Sequence, residues 1–237
     1  MLKEYIYKDL STGSRSSLMK IGIIGAGNIG ETTARLFVNA GHQIAISNSK
    51  GPQSLKSLVI SIGADAKAMT VQAALAFGDV ILLAIPWRKR EELRSLPSEL
   101  LKNKIVIDAT NPYSENFELI DLGNSTSSEE VAKELHGARI VKAFNTMYYE
   151  TLWTEGRKSK DDRLVLFVAG DDDAAKDVVS KLIEDIGFKA VDSGSLREGG
   201  RKQQPGSLIY NNPMTVEVAY KRLAELDKHD NTWPHRD

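Results

Sequence analysis

The sequence predicts an α/β fold: an open, doubly wound, mostly parallel sheet with a short α/β extension at its C-terminal end. Three observations predict it. From Lys20 onward, short apolar runs alternate with segments of helical period. A glycine-rich turn, Gly25-x-Gly27-x-x-Gly30, stands where the first run meets the first helical period. The alternation resumes past residue 150, at Leu164–Ala169 and Phe188–Val191. Strands separated by helices pair in parallel through right-handed crossovers, which yields an open sheet covered on both faces.

Each element follows from its own pattern. Lys20–Gly25 reads as a buried strand. Ile29, Thr33, Leu36, Phe37 and Ala40 recur at helical spacing, and Gly41 supplies a left-handed stop. Gln43–Ser47 is the second strand. Helical segments fall near Pro52–Ser61 and Val71–Phe77. Asp79–Ala84, Lys104–Asp108 and Arg139–Ala143 are further strands. Ser127–Leu135 is helical, with Ser127 or Ser128 as its cap and Glu129 and Glu130 at its positive end. Leu164–Ala169 is a strand, and Asp171–Ile186 is a helix that starts on three acids and stops before Gly187. Phe188–Val191 is the last strand. Pro213–Leu226 is the last helix, with Asn212 as cap and Pro213 in first position. The polar segment Thr154–Asp162 joins the two halves.

Composition narrows the function classes. The chain has 237 residues and no Cys. That excludes a disulfide scaffold, thiolate zinc sites, iron–sulfur clusters and a Cys nucleophile. Thirty-one Lys and Arg against 32 acids leave a net charge of −1, which argues against nucleic acid or a membrane surface as partner. The longest apolar stretches, Val80–Ile85 and Leu164–Ala169, are far short of the roughly 20 residues of a membrane span. Residues 1–18 lack an apolar core and read as a flexible tail, not a signal peptide. A cytoplasmic location is the expectation. His42, His136, His229 and His235 form no ligand pair, and Asp171–Asp173 suits a helix start, so no metal site is expected.

The glycine turn carries the strongest chemistry. It follows a buried strand and opens a helix within a βαβ unit of about 30 residues, the context that dinucleotide binding requires. Gly25 permits the tight turn, Gly27 admits the pyrophosphate close to backbone, and Gly30 lets the helix pack on the strand. With Ala26, Asn28 and Ile29 these residues form the expected phosphate cradle of a Rossmann-like domain. The second strand ends in Ser47, Asn48, Ser49 and Lys50, and no acid lies between Glu31 and Asp65. A carboxylate there selects NAD by holding the ribose hydroxyls; hydroxyls, an amide and a Lys favour a 2′-phosphate. NADP(H) is therefore the expected cofactor.

Ligands in such sheets lie beyond the carboxyl ends of the strands. Ala84, Ile85, Pro86 and Trp87 follow one strand, Thr110 and Asn111 another, and Ala143, Phe144 and Asn145 a third. Pro86, Trp87 and Asn145 are the expected positioning groups. No residue reads as a certain acid, base or nucleophile.

With these residues assembled, the chain resembles the NADPH-dependent reductases of the deazaflavin coenzyme (factor 420) and their bacterial homologues. Membrane ferric reductases share a similar cytosolic domain. The resemblance rests on GIIGAGNIG, SNSKGPQSL, AIPW, DATNP, VKAFNT, LVLFVAGDD and GRKQQPGSLIYN. Asn48 stands where the deazaflavin reductases typically carry Arg. The resemblance implies hydride transfer between NADP(H) and a small-molecule redox acceptor, a flavin-like or deazaflavin-like ring. It implies an acceptor pocket lined by Trp87, Phe144 and Asn145, with Gln204, Pro205 and Gly206, and a homodimer. The alternatives are another acceptor (a ferric chelate through flavin, an imine or a carbonyl) or a non-enzymatic NADP(H) sensor. Residues 19–150 are the expected dinucleotide-binding domain. Residues 151–237 are an extension packed on the same sheet, completing the acceptor pocket.

Overall fold

A computed structural model describes residues 18–156 and 162–229. In chain order its elements are β1 (Lys20–Ile24), α1 (Asn28–Asn39), β2 (Gln43–Ser47), α2 (Lys56–Ile62), β3 (Ala66–Ala68), α3 (Val71–Phe77), β4 (Val80–Leu83) and α4 (Ser98–Leu101). There follow β5 (Ile105–Asp108), α5 (Ser127–Glu134), β6 (Arg139–Lys142), α6 (Tyr149–Thr154), β7 (Val165–Gly170), α7 (Asp173–Asp185), β8 (Lys189–Gly194), α8 (Glu198–Lys202) and α9 (Val216–His229). Two 3-10 helices, Pro52–Leu55 and Trp87–Ser95, precede α2 and α4. The expected tail through residue 17, residues 157–161 of the joining segment and His235 lie outside the described residues.

The strands form one eight-stranded sheet in the order β3-β2-β1-β4-β5-β6-β7-β8. Every neighbouring pair is parallel except β6–β7, which overlap antiparallel at Val141–Gly170 and Lys142–Ala169. The mostly parallel doubly wound sheet is as the sequence predicts. One apolar cluster runs through both halves, from Ile21, Phe37 and Ile44 to Phe144, Leu166, Val179 and Phe188. The extension thus shares the core of the first six strands.

Three local expectations need correction. The cap of α5 is Thr126, not Ser127 or Ser128. The Thr126 hydroxyl accepts from Glu129 N at 3.2 Å, and the Glu129 carboxylate accepts from Thr126 N at 2.8 Å. Ser127 Oγ instead accepts from Lys142 Nζ at 2.9 Å, and Ser128 Oγ donates to the Asp108 carboxylate at 2.6 Å. The last helix starts at Val216, not Pro213, because the Met214 carbonyl accepts from Val165 N at 3.0 Å at the start of β7. β3 had no sequence signal: it is three residues long, with Lys67 at its centre. The acids of α7 do mark a helix start. Asp172 caps it by accepting from Ala175 N at 3.0 Å and pairs with Arg139 on β6.

His42 sits at the N-terminal end of β2, fully buried and away from the carboxyl edge. Its Nδ1 accepts from Met19 N at 3.2 Å, and its Nε2 lies 3.4 Å from the Asp185 carboxylate. Burial holds its pKa below the ordinary histidine value, against the opposing pull of Asp185. The unfolded chain therefore takes up a proton first as pH falls. The stability due to neutral His42 is complete above about pH 6.5 and is lost progressively below it. Urea midpoints measured from pH 8 to 5 are expected to fall on the acid side, and His42→Gln is expected to flatten that limb.

Candidate functional site

Crossovers leave β1 and β4 in opposite directions, so a crevice opens between their carboxyl ends. The glycine turn lines it. Gly25 has φ +108°, and a Cβ there would meet the Ala84 carbonyl oxygen at 2.2 Å. A Cβ at Gly30 would meet the Gly25 carbonyl oxygen at 1.9 Å. These two glycines are demanded by the protein's own packing. Gly27 differs: a Cβ there would meet nothing within 4 Å. Its carbonyl accepts the first bond of α1, from Glu31 N at 2.8 Å. The N–H groups of the first turn have no partner within the helix.

The crevice has a volume of about 900 Å³. Gly25, Ala26, Gly27, Asn28 and Ile29 line it, as do Ala84, Ile85, Pro86, Trp87, Thr110 and Asn111. Trp87 is buried, with the Arg90 guanidinium 4.6 Å from its ring centre. The loop after β2 divides. Asn48 and Ser49 line the crevice, but Ser47 is fully buried and donates its hydroxyl to the Ile23 carbonyl at 3.0 Å. Ser47 therefore ties β2 to β1 and is not offered to a ligand, contrary to expectation. Asn48 Oδ1 accepts from Lys50 N at 3.0 Å and Asn48 Nδ2 donates to Ser54 Oγ at 3.0 Å, which fixes the loop. Lys50 is exposed beside the crevice. Arg88, Lys89, Thr70 and Phe117 also line the crevice. No motif pointed to these four.

A second cleft of about 230 Å³ adjoins it and shares Asn28, Ile29, Ala109 and Asn111 with it. Phe144 and Asn145 line this cleft, with Met147, Tyr148, Tyr149, Tyr210 and Asn211. Asn111 and Asn145 are brought together: Asn111 Nδ2 donates to the Asn145 carbonyl at 3.0 Å, and Asn145 Nδ2 donates to Asn111 Oδ1 at 3.1 Å. Phe144 is fully buried with φ +65°. A bulky residue in that region stores strain of about 1–3 kcal/mol, which persists only where packing overrides it; here Phe37 stacks edge-on at 6.0 Å. Ala143 is fully buried and lines neither cleft. Gln204, Pro205 and Gly206 also line neither, because the chain turns inward at Gln203, whose Nε2 donates to Ser193 Oγ at 2.9 Å. That segment instead reaches the small cleft through Tyr210 and Asn211.

A fully buried ion pair underlies both clefts. Lys142 Nζ lies 3.3 Å from Asp108 Oδ2 and donates to the Thr110 carbonyl at 3.0 Å and Ser127 Oγ at 2.9 Å. Asp108 also accepts from Thr110 N at 2.9 Å, Thr110 Oγ1 at 2.7 Å and Ser128 Oγ at 2.6 Å. Burial lowers the Lys142 pKa from its ordinary value, and Asp108 opposes that shift. The pair fixes the loop carrying Thr110 and Asn111. Among the described residues, no group of three or more His, Asp or Glu is placed to hold a metal, and no helix is long and apolar enough to cross a membrane.

A glycine turn opening a switch-point crevice in a doubly wound sheet is the architecture of dinucleotide-binding domains. Residues 20–112 match the family model described as "NADP oxidoreductase coenzyme F420-dependent". The F420-dependent NADP reductase of Methanothermobacter thermautotrophicus is 29% identical over 209 residues, 82% of this chain and 89% of that protein. Metalloreductase STEAP3 of Rattus norvegicus is 28% identical over 177 residues, 75% of this chain; the chain spans only 34% of that protein. A solved structure of a hypothetical protein from Sinorhizobium meliloti is 34% identical, covers 85% of this chain and 97% of its own, and superposes with a TM-score of 0.75. An Arthrobacter structure titled a putative F420-dependent NADP reductase shares the fold at 21% identity, 91% and 93% coverage, and TM-score 0.66. The chain is thus similar to the F420-dependent NADP oxidoreductase family, to its model over residues 20–112 and to the named archaeal reductase over most of both chains.

Proposed function

We propose that the chain binds NADPH along the large crevice and delivers its hydride to a flavin-like or deazaflavin-like ring seated at the small cleft. The observation that carries this reading is the cradle at Gly27. Gly25 and Gly30 are fixed by packing, while the missing Cβ of Gly27 faces open space at the mouth of a 900 Å³ crevice. NADPH, when bound, supplies the hydride. The N–H groups of the first turn of α1 hold the pyrophosphate. Asn48, Ser49 and Lys50 hold the 2′-phosphate, and no acid follows β2 to repel it. Pro86, Trp87, Asn111 and Asn145 orient the reacting rings and keep water out. The extension completes the acceptor cleft through Tyr210 and Asn211. A reduced ring of this kind holds its charge within its own conjugation, so no protein acid is required for the transfer. The same reading includes a homodimer acting in the cytoplasm, which the mass in solution tests for pairing.

NADP(H) is expected to bind at least tenfold more tightly than NAD(H), about 1.4 kcal/mol, a difference that one charge-assisted phosphate contact supplies. Fluorescence titration with both nucleotides measures it, and equal dissociation constants contradict the assignment of the Asn48–Lys50 loop. NADPH absorbance decay against deazaflavin, FMN, FAD, ferric chelates and quinones then identifies the acceptor. Fast decay with the ring acceptors is expected. The match to the rat metalloreductase supports a second reading, reduction of a ferric chelate through free flavin, which is favoured if decay requires both.

A further inference from the structure

The small cleft carries more polar chemistry than hydride transfer demands. Its apolar walls include Ile29, Ala109, Phe144 and Met147. Tyr210, partly buried, is on its rim. The Tyr210 hydroxyl oxygen receives Asn111 Nδ2 at 3.4 Å and the Tyr113 hydroxyl at 3.3 Å. The Asn111 bond is received, and the Tyr113 bond joins two hydroxyls that can exchange donor and acceptor roles, so with Tyr113 donating the Tyr210 proton is left for the cleft. Burial pushes its pKa well above the ordinary tyrosine range. The group therefore stays protonated and acts as a donor.

Asn145 supplies the complement. Its Nδ2 donates to Asn111 Oδ1 at 3.1 Å and to the Gln203 carbonyl at 2.9 Å, which fixes which end of the amide is which. Its Oδ1 is then a buried acceptor with no donor among the described residues. Such an atom destabilises the protein until an N–H reaches it. Asn111 bonds to both residues and so couples the donor to the orphaned acceptor.

We propose that Tyr210 and Asn145 read a planar amide in the small cleft, the Tyr210 hydroxyl donating to its carbonyl and Asn145 Oδ1 accepting from its N–H. This rests on the hydride-transfer reading above. Two sources offer that group: the carboxamide of the nicotinamide, and the imide edge of a flavin-like acceptor. Tyr210 keeps its proton throughout. The hydride carries both electrons from NADPH to the acceptor, and the proton that completes the reduced acceptor comes from solvent. On a flavin-like acceptor Tyr210 holds the carbonyl on which negative charge gathers; on the nicotinamide it fixes the orientation of the carboxamide and hence of the ring.

Tyr210→Phe tests the proposal in two arms. The first titrates NADP⁺ and its 3-acetylpyridine analogue, in which a methyl replaces the carboxamide NH₂. The second compares turnover with FMN and with N-methylphenazinium, a hydride acceptor lacking both carbonyl and imide. If the nicotinamide supplies the amide, the wild type prefers NADP⁺ to the analogue by fivefold or more, and Tyr210→Phe weakens NADP⁺ by a similar factor. If the acceptor supplies it, NADP⁺ affinity holds, and kcat with FMN falls at least tenfold further than kcat with phenazinium. Tyr113→Phe, which removes one partner of the Tyr210 hydroxyl, should show the same pattern at smaller size and serves if Tyr210→Phe melts early. Equal losses with both acceptors at unchanged NADP⁺ affinity, or no change anywhere, overturn the proposal. A wild type that binds no NADPH overturns the functional reading beneath it, which is a separate result.

Discussion

Gly27→Val is expected to raise the dissociation constant for NADPH at least about 100-fold, a loss of roughly 2.7 kcal/mol, while the melting curve stays within a few degrees of wild type. The contrast with its neighbours makes this specific. Gly25 and Gly30 cannot accept a Cβ, because backbone atoms lie within 2.2 Å of it; substituting either should disturb the fold. At Gly27 the backbone has φ −84°, ordinary for any residue, and the added atoms enter empty space. That space is where the pyrophosphate is proposed to approach the turn. Fluorescence titration and calorimetry on the same sample separate the two effects. Near-normal affinity in a folded Gly27→Val protein would move the dinucleotide away from this turn.

Asp108→Ala is expected to lower the unfolding free energy by roughly 3–5 kcal/mol, the range for stripping one partner from a buried ion pair. Both groups are fully buried. The Lys142 ammonium would be left with only the Thr110 carbonyl and the Ser127 hydroxyl. Lys142 then escapes the cost by losing its proton. A lysine whose folded pKa is depressed binds fewer protons than in the unfolded chain, so stability rises with pH up to the unfolded value of about 10.4. Urea midpoints of Asp108→Ala should therefore climb between pH 7 and 10 more than those of wild type. The double variant Asp108→Leu with Lys142→Met should recover much of the loss, since the desolvated charges go together. A loss under 1 kcal/mol for Asp108→Ala would show that the pair contributes little to holding the Thr110–Asn111 loop.

Much of this was legible in the sequence because the relevant forces are local. Buried parallel strands read as continuous apolar runs, and the glycine spacing reports packing demands at Gly25 and Gly30. The rest depends on contacts between distant segments. Ser47 looked like a ligand for a 2′-phosphate because it stands in a run of small polar residues that reaches the crevice; only the pleat of β2 reveals that its hydroxyl turns to Ile23. Gln204–Gly206 looked like cleft residues, whereas Tyr210 and Asn211 are the ones that reach it, carried there by a turn whose direction no periodicity encodes. Lys142 and Asp108 sat inside the quoted motifs VKAFNT and DATNP, yet as charges within apolar strands they gave no sign of pairing. One signal was available: an Asp and a Lys at the carboxyl ends of neighbouring buried strands need each other.

The reversal of direction at β7 has a consequence for how the chain is made. Strands β1–β6 are complete once residue 142 has been synthesised, yet β6 has no outer neighbour until β7 follows, at residues 165–170. At about 5–20 residues per second that delay is roughly 1–5 s. During it a buried-type strand presents an unpaired edge, with Ile140 and Val141 on it, the kind of template that recruits a second chain. Translation pausing between these points, or termination before β7, should therefore favour aggregation of the nascent protein over accumulation of a folded half.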